Sequence, residues 1–177
     1  MLHRDSTADA NVRVIVMGVS GAGKSTVGAA LAAALGASFV DGDDLHPPAN
    51  VAKMAGGVPL DDDDRAPWLD EVGRTLAGGA SVVVACSALK RRYRDRIRAV
   101  APDTVTIALD GSRELLGARL GARIDHFMPA SLLDSQLGAL EPLGADEAGA
   151  IVSIDATPAE VVSAALDAVR TATRYSS

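Results

Sequence analysis

The chain has 177 residues, a formal net charge of −6, and 48% hydrophobic residues of which few are aromatic. That length suits one domain with a sizeable core and is short for two, while the negative charge argues against a general nucleic-acid binder, whose phosphate affinity needs excess Lys and Arg. No stretch approaches the roughly 20 apolar residues that cross a bilayer, and the opening residues MLHRDSTADAN lack the apolar centre of a signal peptide.

Residues 1–11 are polar and aperiodic and read as a mobile tail, which leaves 12–177 as a single domain. Runs rich in β-branched residues follow in order, VRVIVMG, ASFVDG, SVVVACS, TVTIALDG and AIVSIDAT, each ending in Gly, Asp, Ser or Thr. They predict five strands. Between them lie helical patterns at Lys24–Leu35 and Ala66–Leu76, at Leu89, Tyr93, Ile97 and Val100, and at Leu116, Leu120 and Ile124. The last helix is the best marked, since Thr157, Pro158 and Glu160 supply an N-cap, a first-turn proline and a capping-box acid. Alternating strands and helices imply a doubly wound, parallel α/β sheet. Cys86 is the lone cysteine and sits in an apolar run, so it reads as a buried, inert thiol in a protein of the reducing cytoplasm.

GVSGAGKST follows the first strand and opens the first helix, matching G-x-x-x-x-G-K-[ST] over Gly18, Val19, Ser20, Gly21, Ala22, Gly23, Lys24 and Ser25, with Thr26 next. Such a loop turns its backbone N–H groups onto phosphate oxygens at a helix N-terminus. In that setting Lys24 bridges the β- and γ-phosphates and the Ser25 hydroxyl ligates Mg²⁺. No NKxD element of the kind that reads guanine is present. ATP is therefore the expected nucleotide.

DGDDLHP, Asp41–Pro47, stands where the second strand ends. Ligands of open α/β sheets sit outside the carboxyl ends of strands, so this loop and the phosphate loop are expected to share a crevice. A kinase needs one carboxylate to hold Mg²⁺, usually through water, and one to orient or deprotonate the attacking hydroxyl. Asp41 and Asp43 are the candidates for those two tasks, with Asp44 facing solvent. His46 has no histidine or cysteine at ligand spacing and is read as a hydrogen-bond donor to the acceptor or as packing for the loop.

Further on, Lys53, Arg65, Lys90 and Arg94 are cations whose convergence on the crevice would select an anionic acceptor. Asp61–Asp64 is read as an acid cluster at a helix N-terminus that complements the dipole and caps orphan N–H groups, and Arg91, Arg92, Arg96 and Arg98 as a solvated helix surface. Arg119 and Arg123, at i and i+4, suit either a lid that stabilises charge on the transferring group or structural salt bridges.

The blocks GVSGAGKST, DGDDLHP, NVAKMAGGVPLDDDDRAPWL, CSALKRRYRD and RIDHFMPASLLDSQLGALEP, in that order, resemble the P-loop gluconokinases from Val14 to about Ile154. The resemblance implies a three-layer nucleoside/shikimate-kinase-like fold with a five-stranded parallel sheet and a small helical lid near 119–133. It implies transfer of the ATP γ-phosphate to the 6-hydroxyl of D-gluconate, and a homodimer. By similarity Asp41 is the metal-linked acid, Asp43 orients the hydroxyl, and His46, Lys53, Arg65 and Lys90 touch the sugar acid. Asp125, Leu137 and Leu143 depart from the family pattern. Two other readings keep the phosphate loop: a kinase for another small acid, and a regulatory module that binds ATP without transferring phosphate.

Overall fold

A computed structural model describes residues 11–122 and 130–175. Its strands β1 (Arg13–Met17), β2 (Ser38–Asp41), β3 (Val82–Ala85), β4 (Val105–Asp110) and β5 (Gly149–Ser153) are the five expected ones. They form one parallel sheet in the order β2-β3-β1-β4-β5. Register aligns Asp41, Ala85, Val16, Ile107 and Ala150 in one row across the sheet. The loops that leave the carboxyl ends of β1, β2 and β3 therefore start at nearly the same height.

Helices α1 (Lys24–Leu35), α2 (Pro48–Ala55), α3 (Asp62–Leu76), α4 (Arg91–Val100), α5 (Arg113–Gly121), α6 (Ala130–Ala139) and α7 (Pro158–Arg174) complete the described chain. Alternation along β1 decides which face each residue serves. Val14 and Val16 pack with Val27 and Leu31 of α1 and Val161, Ala165 and Val169 of α7. Ile15 and Met17 pack on the other face with Trp68, Leu69 and Val72 of α3 and Tyr93 and Ile97 of α4. Two apolar cores thus sandwich the sheet, giving the expected three layers. Among the described residues no helix is long and apolar enough to cross a membrane.

The capping box at Thr157 and Glu160 forms as expected. At the acid cluster, where capping of the helix N-terminus was expected, a second full box forms: the Asp61 side chain accepts from the Asp64 N–H, and the Asp64 carboxylate accepts from the Asp61 N–H. It starts α3 at Asp62, four residues before the apolar period begins at Ala66. Helices α2 and α6 carry no apolar period that the sequence reading resolved.

Arg94 does not join Lys90 at the crevice. Its side chain is 1% exposed, and it grips the fully buried Glu147 through Nε at 2.8 Å and Nη2 at 3.1 Å. Its remaining N–H groups donate to the carbonyls of Ala88, Leu89, Glu141 and Pro142. Arg98, expected on the solvated surface, is partly buried and adds a second guanidinium to Glu147 at 2.6 Å. Glu141 closes the junction: its N–H donates to the Leu89 carbonyl and its carboxylate accepts from the Arg91 N–H, capping α4 from outside the helix. This staple joins the β3–α4 loop to the segment after α6.

Burial alone would raise the Glu147 pKa, but donors from Arg94, the Gly144 N–H and Arg98 reverse that and bring it to about 2. A carboxyl held below its ordinary 4.5 stabilises the fold fully above that value and loses the contribution as pH falls toward about 2. Arg94→Met leaves the buried Glu147 with Arg98 and the Gly144 N–H alone and takes the donor from four carbonyls, and is expected to cost about 3–5 kcal/mol in urea unfolding at neutral pH. The loss should shrink between pH 4.5 and 2. A cost under about 1 kcal/mol, in the range of an exposed pair, would contradict this assignment.

Candidate active site

The segment Gly18–Gly23 joins β1 to α1, and its three glycines take φ of 155°, 87° and 87°. At Gly23, the N-cap of α1, a Cβ would meet nothing within 4 Å, so the left-handed backbone alone demands glycine. Among the described residues no side chain caps α1, which leaves its first N–H groups for an anion. Lys24 folds back over this cradle, its ammonium donating to the Val19 carbonyl at 3.1 Å. The Ser20 N–H donates to Gln136 Oε1 of α6 at 2.7 Å. That contact escaped the sequence reading, because nothing local to Gln136 signals a partner more than a hundred residues away.

The acidic loop meets the cradle directly. Asp41 ends β2 with one oxygen, Oδ2, accepting from Ser25 Oγ at 3.1 Å, and the other, Oδ1, accepting from the Asp43 N–H at 3.0 Å. The second bond caps a short 3₁₀ turn over Gly42–Leu45 that carries Asp43 and Asp44. Gly42 lies so close to β3 that a Cβ would come within 2.4 Å of the Ala85 carbonyl oxygen. Only glycine lets the turn sit down at the sheet end. Cys86 lies beneath, its thiol pushed up to about 12 by burial, and it senses the charges of Lys24, Asp43 and Asp41 together. The thiol stays protonated and unreactive there.

A wall of side chains continues from the turn. Trp68 Nε1 donates to the Gly42 carbonyl at 2.7 Å, and the His46 ring stacks on the indole at 4.2 Å. Burial lowers the His46 pKa; Asp43 opposes that and Arg65 reinforces it, so both charges lie near the ring. Arg65 donates to Tyr93 Oη at 3.3 Å, and that hydroxyl donates to Asp62 at 2.5 Å. The Arg65, Lys90 and Arg92 cations stand 5.6, 5.8 and 5.5 Å from the centre of the Tyr93 ring. Arg92 also pairs with Asp62. Lys90 precedes α4 on the loop held by Arg94, where Ala88 takes the strained φ of 41°.

Of the residues singled out in the sequence, the structure gathers Lys24, Ser25, Asp41, Asp43, His46, Arg65 and Lys90 around the β1–β3 end of the sheet. Lys53 has a different immediate partner, both oxygens of Asp64 at 2.8 Å. That bond raises the Lys53 pKa and lowers that of Asp64. Arg119 donates to the Ile154 carbonyl at 2.8 Å, and among the described residues it forms no ion pair. It helps line a cavity of about 200 Å³ with Gly21, Gly23, Thr26, Ile154, Pro158 and Val161, beside the cradle on the side away from the acids. Arg123 and Asp125, with the middle of the expected lid, lie outside the described residues. Leu137 and Leu143 both pack against the cores.

A family model described as an AAA domain matches residues 14–143. A gluconokinase from Gluconobacter oxydans is 51% identical over 76% of this chain and 78% of its own. The crystal structure of a gluconokinase from Sinorhizobium meliloti superposes with a TM-score of 0.86 at 47% identity, covering 93% of this chain and 95% of that one. A shikimate kinase from Aquifex aeolicus, at 18% identity and a TM-score of 0.59 over 92% and 98% of the two chains, shares the fold alone. Identity near one half, carried over almost the whole of both chains together with the backbone, is the mark of common descent, and the protein belongs to the gluconokinase family.

Proposed function

We propose that the protein transfers the γ-phosphate of ATP to the 6-hydroxyl of D-gluconate, giving 6-phospho-D-gluconate and ADP. The observation that carries this reading is the Ser25–Asp41 hydrogen bond, which brings the phosphate cradle and the acidic turn into one crevice. The likeness to gluconokinases supplies the acceptor.

In this reading the backbone of Gly18–Gly23 and the α1 N-terminus hold the phosphates, and Lys24 turns from the Val19 carbonyl to the β- and γ-oxygens. The cavity beside Arg119 takes the nucleoside. Arg119 and Arg123 are assigned to charge on the transferring group. Ser25 and Asp41 offer a hydroxyl and a carboxylate side by side, a hard-oxygen pair that suits Mg²⁺, which keeps several waters and leans on substrate phosphates. Bound there, Mg²⁺ would neutralise charge on the phosphates.

Asp43 aligns the 6-hydroxyl and accepts its proton as the new O–P bond forms and the bond from phosphorus to the departing ADP oxygen breaks. His46, Arg65 and Lys90 face the polyol and its carboxylate. Lys53 is assigned to the same wall, reaching the sugar acid while Asp64 holds it. The buried Cys86 thiol fits a reducing compartment, so a cytoplasmic enzyme belongs to the proposal, as does the homodimer that the family resemblance implies.

An ADP-release assay across small acids tests the acceptor: gluconate should stimulate turnover far above water, and no stimulation would overturn the reading. Asp43→Asn should lower kcat about 10²–10⁴-fold while calorimetric ATP affinity holds. A full rate in that variant would remove Asp43 from its role. Ser25→Ala should raise the Mg²⁺ concentration needed for half-maximal rate, and an unchanged requirement would count against the metal assignment.

A further inference from the structure

We propose that Asn50 is a positioning residue that fixes His46 as the neutral tautomer with its proton on Nε2, so that the ring offers the acceptor a single N–H donor. The inference rests on the reading that this wall binds the sugar acid, and it follows from counting donors and acceptors.

Asn50 is 3% exposed, at the start of α2. One amide atom makes both of its bonds, to the Asp64 carbonyl at 2.9 Å and to His46 Nδ1 at 3.2 Å. A backbone carbonyl can only accept, so the atom facing it must be the NH₂ group. With one hydrogen on Asp64, the other points at His46 Nδ1, which must then accept through its lone pair. A neutral imidazole that accepts at Nδ1 carries its hydrogen on Nε2.

Two further contacts hold that assignment. The ring lies on Trp68 at 4.2 Å with 15° between planes, which restricts rotation about χ2. Trp68 in turn is bonded to the Gly42 carbonyl, so the imidazole is registered to the turn that carries Asp43. Protonation at Nδ1 would set two donors face to face across the Asn50 contact. Burial and the Arg65 charge disfavour the cation as well, with Asp43 opposing them. A neutral donor binds hydroxyl or carboxylate oxygens without adding charge beside the transferring phosphate.

The direct test is the ¹⁵N spectrum of histidine-labelled full-length protein at neutral pH, without ligand. The chain has 3 histidines, and His46→Gln assigns the relevant signal. A pyridine-type Nδ1 and a pyrrole-type Nε2 are expected. An Nδ1–H tautomer or an imidazolium would overturn the proposal. Asn50→Ala should mix the tautomers and raise the gluconate KM about tenfold, the worth of one hydrogen bond, with the ATP KM unchanged. Equal changes in both constants would overturn the positioning role. His46→Gln, whose amide NH₂ reaches the Nε2 position, should keep the gluconate KM within a few-fold, whereas His46→Asn should not; equal loss in both would contradict the proposal. Should no acid stimulate turnover while the spectrum still reports Nε2–H, the gluconate reading falls and the tautomer assignment stands.

Discussion

One hydrogen bond, Ser25 Oγ to Asp41 Oδ2, sets the geometry on which the chemistry depends. Strand β3 separates β1 from β2 in the sheet, so the phosphate loop and the acidic turn leave non-adjacent strands. They meet because parallel register starts both loops in one row, and because Gly42 lets the turn press against the end of β3. Asp41 then faces two ways, to Ser25 and to the Asp43 N–H. A displacement of either loop would move the proposed hydroxyl ligand and the proposed proton acceptor together.

Behind this junction stand two braces of different chemistry. On the acceptor side, Trp68, His46 and Asn50 pack and bond the turn to α2 and α3. Below Lys90, the Arg94–Glu147 pair buries two charges. An apolar replacement of both partners can be as stable as such a pair, so stability alone does not account for it. What apolar residues would not supply is the set of donors to the Ala88, Leu89, Glu141 and Pro142 carbonyls, which hold a strained loop in one conformation. Stiffness at that loop is what a crevice needs if a hydroxyl must meet phosphorus in line.

Much of this was legible because its signals are local. The β-branched runs, the phosphate-loop spacing and the Thr157 capping box each occupy a few consecutive residues, and all appear where expected. Helix α2 escaped because its 8 residues, set between prolines at 47 and 48 and glycines at 56 and 57, are too few to show an apolar period; Pro48 occupies its first turn. Arg94 was misplaced for a different reason. A four-residue spacing from Lys90 puts both on one side of a helix, but Glu147, which decides where Arg94 points, arrives from after α6. Asn50 carried a faint signal, four residues after His46, yet its meaning depends on the Asp64 carbonyl of another helix.

The central claim is that an alcohol and a terminal phosphate meet between the cradle and Asp43. A crystal structure with gluconate and an unreactive ATP analogue measures this directly. The 6-hydroxyl oxygen should be bonded to Asp43 and lie roughly 3–3.5 Å from the γ-phosphorus, opposite the bridging oxygen. Gluconate bound with its carboxylate toward the phosphate, or outside the crevice between Ser25 and His46, would contradict it.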